Sequence, residues 1–264
     1  MQWENIISSE LENITSRVGG VCIIPVGSIE PHGKHLPLGT DYFVAHKVAC
    51  LAAEQEEAVV FPPMYLGSLY ESKALAGAIA LKPDVLLALY DNLLSEIERN
   101  GFKKIIIFNG HGGNNPFLKF LGFSRLSERH GYNLYISSVT DFTPAQAAER
   151  QKDCEGRAWG HACEFETSMA LELFEELVKL KNIPNGHVNY LDRRSELQGN
   201  CFCEIDWYST APDCYVGDAS FASKERGRKY VDYSVSNLVS IIKKVKGDTV
   251  TRELTEEFYD KSNM

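Results

Sequence analysis

Val21-Cys22-Ile23-Ile24-Pro25-Val26-Gly27-Ser28-Ile29-Glu30-Pro31-His32-Gly33-Lys34-His35-Leu36-Pro37-Leu38-Gly39-Thr40-Asp41 joins two kinds of text. Its first six residues have the composition of a buried strand. The remaining fifteen bring a glutamate, two histidines and an aspartate among three glycines and two prolines. A surface loop has little use for that mixture. A metal site needs it: carboxylate oxygens and imidazole nitrogens, on a backbone that Gly and Pro bend into an unusual path. From Asp41 the pattern turns helical, with Phe43, Val44, Val48, Leu51 and Ala52 on one stripe. Asp41 therefore also reads as a helix N-cap.

The same alternation runs through the chain. Residues 3–17 have helical spacing, ended by Gly19-Gly20. Ala58-Val59-Val60-Phe61 is a second strand, stopped by Pro62-Pro63, and 64–81 is a connection rich in Gly, Ser and Ala. Pro83 sits at the start of a helix running to Arg99. Ile105-Ile106-Ile107-Phe108 is a third strand and leads directly into Asn109-Gly110-His111-Gly112-Gly113-Asn114. A helix follows from Asn115 to about His130, then a fourth strand over 133–139. Residues 141–160 read as irregular and 164–180 as a helix. The stretch 182–220 is aperiodic but aromatic, and a last helix covers 221–244. Strands alternating with helices predict an α/β fold: a mainly parallel central sheet with helices on both faces, in one domain over 1–264. In such folds ligands bind at the carboxyl ends of the strands, where both histidine-bearing loops begin.

Three groups can do chemistry. Glu30 and His32 are two apart in a segment that proline keeps extended, so they face one side, and Asp41 can return to the same point. His35 reads as a histidine that fixes the loop, with ligation as its alternative. Asn109–Asn114 presents His111 between a strand and a helix. Such loops also cradle phosphate, so a nucleotide- or phosphate-binding module is a rival reading, although the loop fits neither the Walker pattern nor G-x-G-x-x-G. In Gly160-His161-Ala162-Cys163-Glu164-Phe165-Glu166, His161 and Glu164 share a face if both are helical. That spacing makes Glu164 a ligand candidate and Glu166 a buried, hydrogen-bonded carboxylate. Cys163 reads as a small packed residue, and Trp159 as either a pocket wall or ordinary packing.

Composition bounds the partners. Lys plus Arg number 27 against 36 Asp plus Glu, a net charge of −9, which argues against nucleic acid or an anionic membrane surface. No apolar run is long enough to span a bilayer, and the first residues lack a signal-peptide pattern. With seven cysteines, an odd count, the expectation is reduced thiols in the cytoplasm. Cys201-Phe202-Cys203 is a weak zinc signal with no second pair nearby.

The run Gly27–Asp41 resembles the first signature of the creatininase (creatinine amidohydrolase) family. Asn109–Asn114 resembles its Asn-Gly-His-Gly-Gly-Asn signature, His161–Ser168 its third, and Gly217-Asp218-Ala219 with 222–227 its last. The resemblance implies a three-layer α/β/α fold and two divalent metal ions, zinc first, with manganese or iron as alternatives. It puts Glu30, His32, Asp41 and His111 on metal ligands, with Asp41 between the ions, and His161 on a proton-transfer histidine. His35, Glu166, Trp159, Asn109, Gly112 and Gly113 fall around them. It further implies a homo-oligomer, a hexamer in many members.

The resemblance also has departures. Some members carry a liganding glutamate where this chain has Gly113, and Glu164 is then the candidate replacement. The 65–81 loop has Ser72 and Gly77-Ala78 where the pattern offers a histidine and a Gly-Thr pair. Lys34 stands where a proline is common, and Arg157 where creatinine-acting members have a tryptophan. The expected function is a metal-dependent amidohydrolase on a small, non-peptide amide, such as a cyclic one: water activated between the metals attacks the carbonyl, and His161 carries the proton to the leaving nitrogen. A formamide-type hydrolase or a peptidase on the same site is the alternative.

Overall fold

The computed structural model describes residues 1–156, 160–197 and 199–262. Strands β1 (Val21–Val26), β2 (Val59–Val60), β3 (Lys104–Asn109) and β4 (Asn133–Ser138) form a parallel sheet in the order β2-β1-β3-β4. The helices are α1 (Leu11–Arg17), α2 (Thr40–Gln55), α3 (Pro83–Arg99), α4 (Asn114–Ser124), α5 (Pro144–Asp153), α6 (Glu164–Phe174), α7 (Asp206–Thr210), α8 (Lys224–Gly247) and α9 (Val250–Ser262).

Alternation along the strands sorts the core into two halves. Val21 and Ile23 of β1, with Ile106 and Phe108 of β3, pack among buried side chains of α2, α6 and α8. Cys22, Ile24 and Val26, with Ile105 and Ile107, pack among those of α1, α3 and α4. Each face of the sheet is therefore covered by helices, which gives the three-layer α/β/α architecture.

The sheet order positions the site. The chain leaves β1 for the edge at β2, then crosses back to β3 on the other side of β1. The loops after β1 and β3 thus diverge from adjacent strand ends, in register at Val26 and Asn109. This is the topological switch point at which parallel sheets bind ligands. Close approach of the backbones there requires glycine at position 110. Its backbone N–H donates to the Val26 carbonyl, and a Cβ on it would lie 2.4 Å from the Asp41 carbonyl oxygen.

Several boundaries differ from the sequence expectation. Trp3–Asn5 and Ser8–Glu10 form 3-10 turns, and the first helix proper begins only at Leu11. The fourth helix ends at Ser124 rather than near His130. Residues 144–153, expected to be irregular, are α5. Thr143 caps it and Gln146 returns the bond to complete a capping box. Helix α6 stops at Phe174, short of Leu180, and Lys179 donates its N–H to the His35 carbonyl instead. Helix α9 has no counterpart in the expectation. Among the described residues no helix is long and apolar enough to cross a membrane.

Candidate metal centre

Glu30, His32, Asp41, His111 and His161 converge at the carboxyl end of the sheet, and all five are buried. His32 Nε2 lies 3.0 Å from Asp41 Oδ1. His111 Nδ1 lies 3.0 Å from Asp41 Oδ2 and 3.1 Å from Glu30 Oε2. His161 Nε2 lies 3.3 Å from Glu30 Oε2. Asp41, in the first turn of α2, is thus a link between His32 and His111 through its two oxygens.

The other nitrogen of each ring decides what this cluster needs. His32 Nδ1 is 3.0 Å from the Glu30 carbonyl, His111 Nε2 is 3.1 Å from the Ser68 carbonyl, and His161 Nδ1 is 2.9 Å from the Cys214 carbonyl. A carbonyl oxygen only accepts, so each ring puts an N–H there. In a neutral imidazole the second nitrogen is then a lone pair, and here all three lone pairs point at carboxylate oxygens. Two acceptors face each other three times over. Each contact requires either a proton or a metal cation between the atoms. Histidines that donate one N–H to a carbonyl and aim the other nitrogen inward are the usual support for metal ligation. Glu30 Oε2 and His32 Nε2 have no hydrogen bond of acceptable geometry among the described residues. Imidazole nitrogens and carboxylate oxygens suit zinc, manganese or iron, so this donor set fits the cations that the resemblance implies.

Without a cation, protons must fill these gaps. Burial opposes charge on every member, but the opposite charges outweigh it. Burial acts to lower His161, yet Glu30 holds it up at about 10. His111 is raised well above the imidazole range by Glu30 and Asp41 against the same burial, and His32 is raised by Asp41. Burial would raise Glu30 and Asp41, yet the facing histidines hold both carboxyls well below their usual range.

Local sequence explains the placement. Ser28 Oγ donates to Asp41 Oδ2 at 2.5 Å, and Ser72 Oγ donates to Glu30 Oε1 at 2.6 Å. The Asn109 side chain accepts from the His111 N–H and donates to its carbonyl, holding the turn through which His111 leaves β3. Asn114 donates to the Gly27 carbonyl and accepts from the Ser68 N–H, stitching three loops together. His161 is clamped by paired backbone bonds to Val216. Among the described residues the two non-glycine residues with left-handed backbone, Ala162 and Cys214, both adjoin it, one following it in the chain and one accepting its Nδ1–H. That strain is held in place around a side chain aimed at the cluster. The Trp207 ring stands edge-on to His161, with centroids 5.5 Å apart.

Other expected residues fall elsewhere. Glu164 does not join the cluster: its Oε1 accepts from Arg226 at 2.6 Å and its Oε2 from the Gly156 N–H at 2.7 Å. The reason is local. His161 precedes the N-cap Cys163 and lies in a bridge with Val216, so the helical spacing that would align it with Glu164 does not apply. Glu166 accepts from the Ala162 N–H at 2.5 Å and supports the turn after His161. His35 lies outside the cluster, 2.9 Å from Thr167 Oγ1, where it ties the loop to α6, and burial lowers its pKa to about 4. Gly112 and Gly113 form the turn into α4. Trp159 lies outside the described residues. Cys163 is buried, and burial pushes its thiol up to about 12. Cys203 Sγ meets Glu204, and neither it nor Cys201 falls in a metal-binding group among the described residues. In the Asn109–Asn114 loop, read as a rival phosphate cradle, the histidine side chain faces Glu30 and Asp41, and part of the backbone donors are occupied. The N–H groups of Gly110, His111, Asn114 and Asn115 are taken by Val26, Asn109, His111 and Gly112.

From the sequence, Ser28, Glu71, Trp207 and Cys214 had no assigned role, and Ser72 stood only as a departure from the family's histidine. Ser72, Glu71 and Cys214 lie in aperiodic segments, whereas Ser28 lies within the first motif.

Comparison with known proteins decides the family. The model of the creatininase (creatinine amidohydrolase) family matches residues 4–242. The chain belongs to the creatininase family. It is 25% identical over 247 residues to the 3-dehydro-scyllo-inosose hydrolase of Thermotoga maritima, covering 84% of this chain and 76% of that protein. It is 27% identical over 179 residues to the creatinine amidohydrolase of Pseudomonas putida, covering 62% and 68%. A shorter match, 39% identical over 101 residues, is to the mycofactocin precursor peptide peptidase of Mycolicibacterium smegmatis, covering 35% and 39%. Solved creatininase structures superpose over 94% of this chain and nearly all of theirs. A manganese form gives a TM-score of 0.79 at 21% identity, and a Zn–Zn form of a mutant gives 0.78 at 22%. This chain is therefore a creatininase-family hydrolase with the family's α/β fold.

Proposed function

We propose that this hydrolase is metal-dependent and cleaves the C–N bond of a small, non-peptide amide, with Glu30, His32, Asp41 and His111 holding two divalent cations. The observation that carries the reading is the set of three buried imidazoles, each fixed by a backbone carbonyl and each presenting its free nitrogen to a carboxylate. Divalent cations bound there would polarise the substrate carbonyl and make water a nucleophile near neutral pH. Solved relatives described as zinc and manganese forms support these two metals.

The protein's own groups do the rest. Asp41 offers one oxygen toward His32 and one toward His111, which suits a bridging ligand. Ser28 and Ser72 hold the outer lone pairs of Asp41 and Glu30 and fix their orientation. His161 cannot turn, because its Nδ1–H is held by the Cys214 carbonyl, so Nε2 is the atom that takes and gives a proton. The Glu30 charge is what keeps it protonated at rest. Once that carboxylate serves a cation, His161 returns toward the imidazole range, where general acid–base transfer to a leaving nitrogen is efficient. Trp207 covers its flank.

The likeness to mycofactocin precursor peptide peptidases, one of which matches over 83% of this chain and 83% of its own, favours a second reading, in which the bond lies in a peptide. One assay separates the two: the metal-loaded protein against creatinine, other cyclic amides, formamides and short peptides. Turnover of a non-peptide member, abolished in His161→Ala, is expected. Cleavage of peptides alone would contradict the first reading. Self-association belongs to the same proposal: Phe120, Phe123 and Leu126 on and after α4, with Ile136 of β4, are exposed apolar residues. Light scattering should give a multiple of the 29.6 kDa chain mass.

A further inference from the structure

Gly113 has no conformational need to be glycine. Its φ of −61° and ψ of −20° are ordinary helical values that any residue adopts. What it lacks is room. A Cβ built on it would lie 2.1 Å from Glu71 Oε1 and 2.4 Å from His111 Nε2. The missing side chain is a notch, and the Glu71 carboxylate fills it.

Glu71 comes from the connection between β2 and α3, yet it is not a wandering loop residue. The Ser68 carbonyl accepts from His111, the Ser68 N–H donates to Asn114, and Ser72 donates to Glu30. The segment is thus anchored to the cluster on both sides of Glu71. The Tyr70 N–H donates to Glu71 Oε2 at 2.8 Å, leaving Oε1 directed to the notch, 3.7 Å from His111 Nε2. Ligand atoms of Glu30, Glu71 and His111 lie within 4.8 Å of one another, a spacing that can hold a metal ion. A second group, Glu30, His32 and His161, meets the same spacing. Glu30 Oε2, which is buried and without a hydrogen bond, points into the region the two groups share.

Charge makes the same argument. Glu30 and Asp41 supply two negative charges against the four positive charges of two divalent ions. A third carboxylate would offset a further share of that positive charge. In the metal-free protein its ion-pair contact is with His111, at 3.7 Å.

We propose that Glu71 is a metal ligand of this centre, completing with Glu30 and His111 the position of one ion while Asp41 joins it to the other. This rests on the metal-dependent reading above. It assigns to the 64–81 connection the carboxylate that neither Gly113 nor Glu164 provides.

The test uses the full-length protein and zinc, read out by bound zinc per chain after equilibrium dialysis and by competition with a chromophoric chelator. Wild type, Glu71→Gln and Glu164→Gln are compared, with circular dichroism as the check on folding. Glu71→Gln should weaken the more loosely held zinc by at least about the 10–100-fold that loss of a mere supporting partner costs. Glu164→Gln should leave both affinities unchanged. The metal-free Glu71→Gln protein should melt close to the wild-type temperature, because the ion-pair contact it loses, to His111, is long at 3.7 Å. A purely structural Glu71 would lower that temperature and leave zinc affinity alone. Wild-type zinc affinities retained in Glu71→Gln would overturn the assignment of Glu71. Absence of zinc from the wild type would overturn the centre itself.

Discussion

Glu164 and Arg226 form an ion pair whose two ends should respond very differently to mutation. The Glu164 carboxylate has no solvent exposure, and its partners are Arg226 and the Gly156 N–H. The Arg226 side chain is 24% exposed and also bonds the Phe221 carbonyl and Glu155. Burial already raises the Glu164 pKa above the ordinary 4.5, with Gly156 and Arg226 pulling against it. Arg226→Met removes the main positive charge, and the carboxyl must then fold protonated. At pH 7 that neutralisation costs at most about 3.4 kcal/mol, from about 1.36 kcal/mol for each of the about 2.5 units above 4.5.

Solvent near the guanidinium screens part of this, leaving a loss of about 2–3 kcal/mol, or about 4–12 °C in Tm. A carboxyl whose pKa rises on folding favours the fold at low pH and weighs against it as pH increases. The Arg226→Met penalty should therefore shrink to at most about 0.7 kcal/mol at pH 5. Glu164→Gln leaves Arg226 its other acceptors and should cost only about 1 kcal/mol at either pH. Urea unfolding of both variants at the two pH values measures this. An Arg226→Met penalty that does not depend on pH, or a Glu164→Gln penalty larger than it at pH 7, would refute the reasoning.

Other consequences are as direct. His35, held near pKa 4 by burial against about 6.5 in the unfolded chain, resists protonation in the fold. Its contribution is complete above about pH 6.5 and is lost as pH falls toward 4, so His35→Gln should flatten the decline in stability between about pH 7 and 5 by about 1–2 kcal/mol. Ser72→Ala removes the hydroxyl that orients Glu30 and should weaken zinc binding by about 10–100-fold with the fold intact, checked by the same chelator competition. Gly67→Ala would place a Cβ 2.4 Å from the Gly27 carbonyl oxygen and 2.5 Å from Asn114 Oδ1, and should destabilise by about 1–3 kcal/mol in thermal melts by forcing apart the loops that carry the site.

The sequence revealed what local chemistry specifies. β1 and β3 were legible because both of their faces are buried, which leaves continuous apolar runs, and their helix-bearing connections imply parallel pairing. Glu30, His32, Asp41 and His111 stood out because their motifs begin at strand ends. Some errors were local signals passed over, and others came where tertiary contacts overrode local rules. Helix α5 went unseen although Thr143-Pro144-Ala145-Gln146 spells a capping box with Pro at the first helical position. Glu164 was misplaced by assuming helical geometry back to His161, whose backbone is in fact paired with Val216, 55 residues away by number. Glu71 and Ser72 lay in text without periodicity, and only the stitching of residues 68–72 to Asn114, His111 and Glu30 brings them to the centre.

Metal content of the purified chain tests the account most directly. Elemental analysis of wild type and Asp41→Ala, with circular dichroism to verify folding, is sufficient. The account predicts between one and two transition ions per wild-type chain, and a marked loss in a folded Asp41→Ala protein whose bridging carboxylate is gone. A wild-type protein that stays metal-free when offered zinc or manganese, or an Asp41→Ala variant that keeps its full complement, would contradict it.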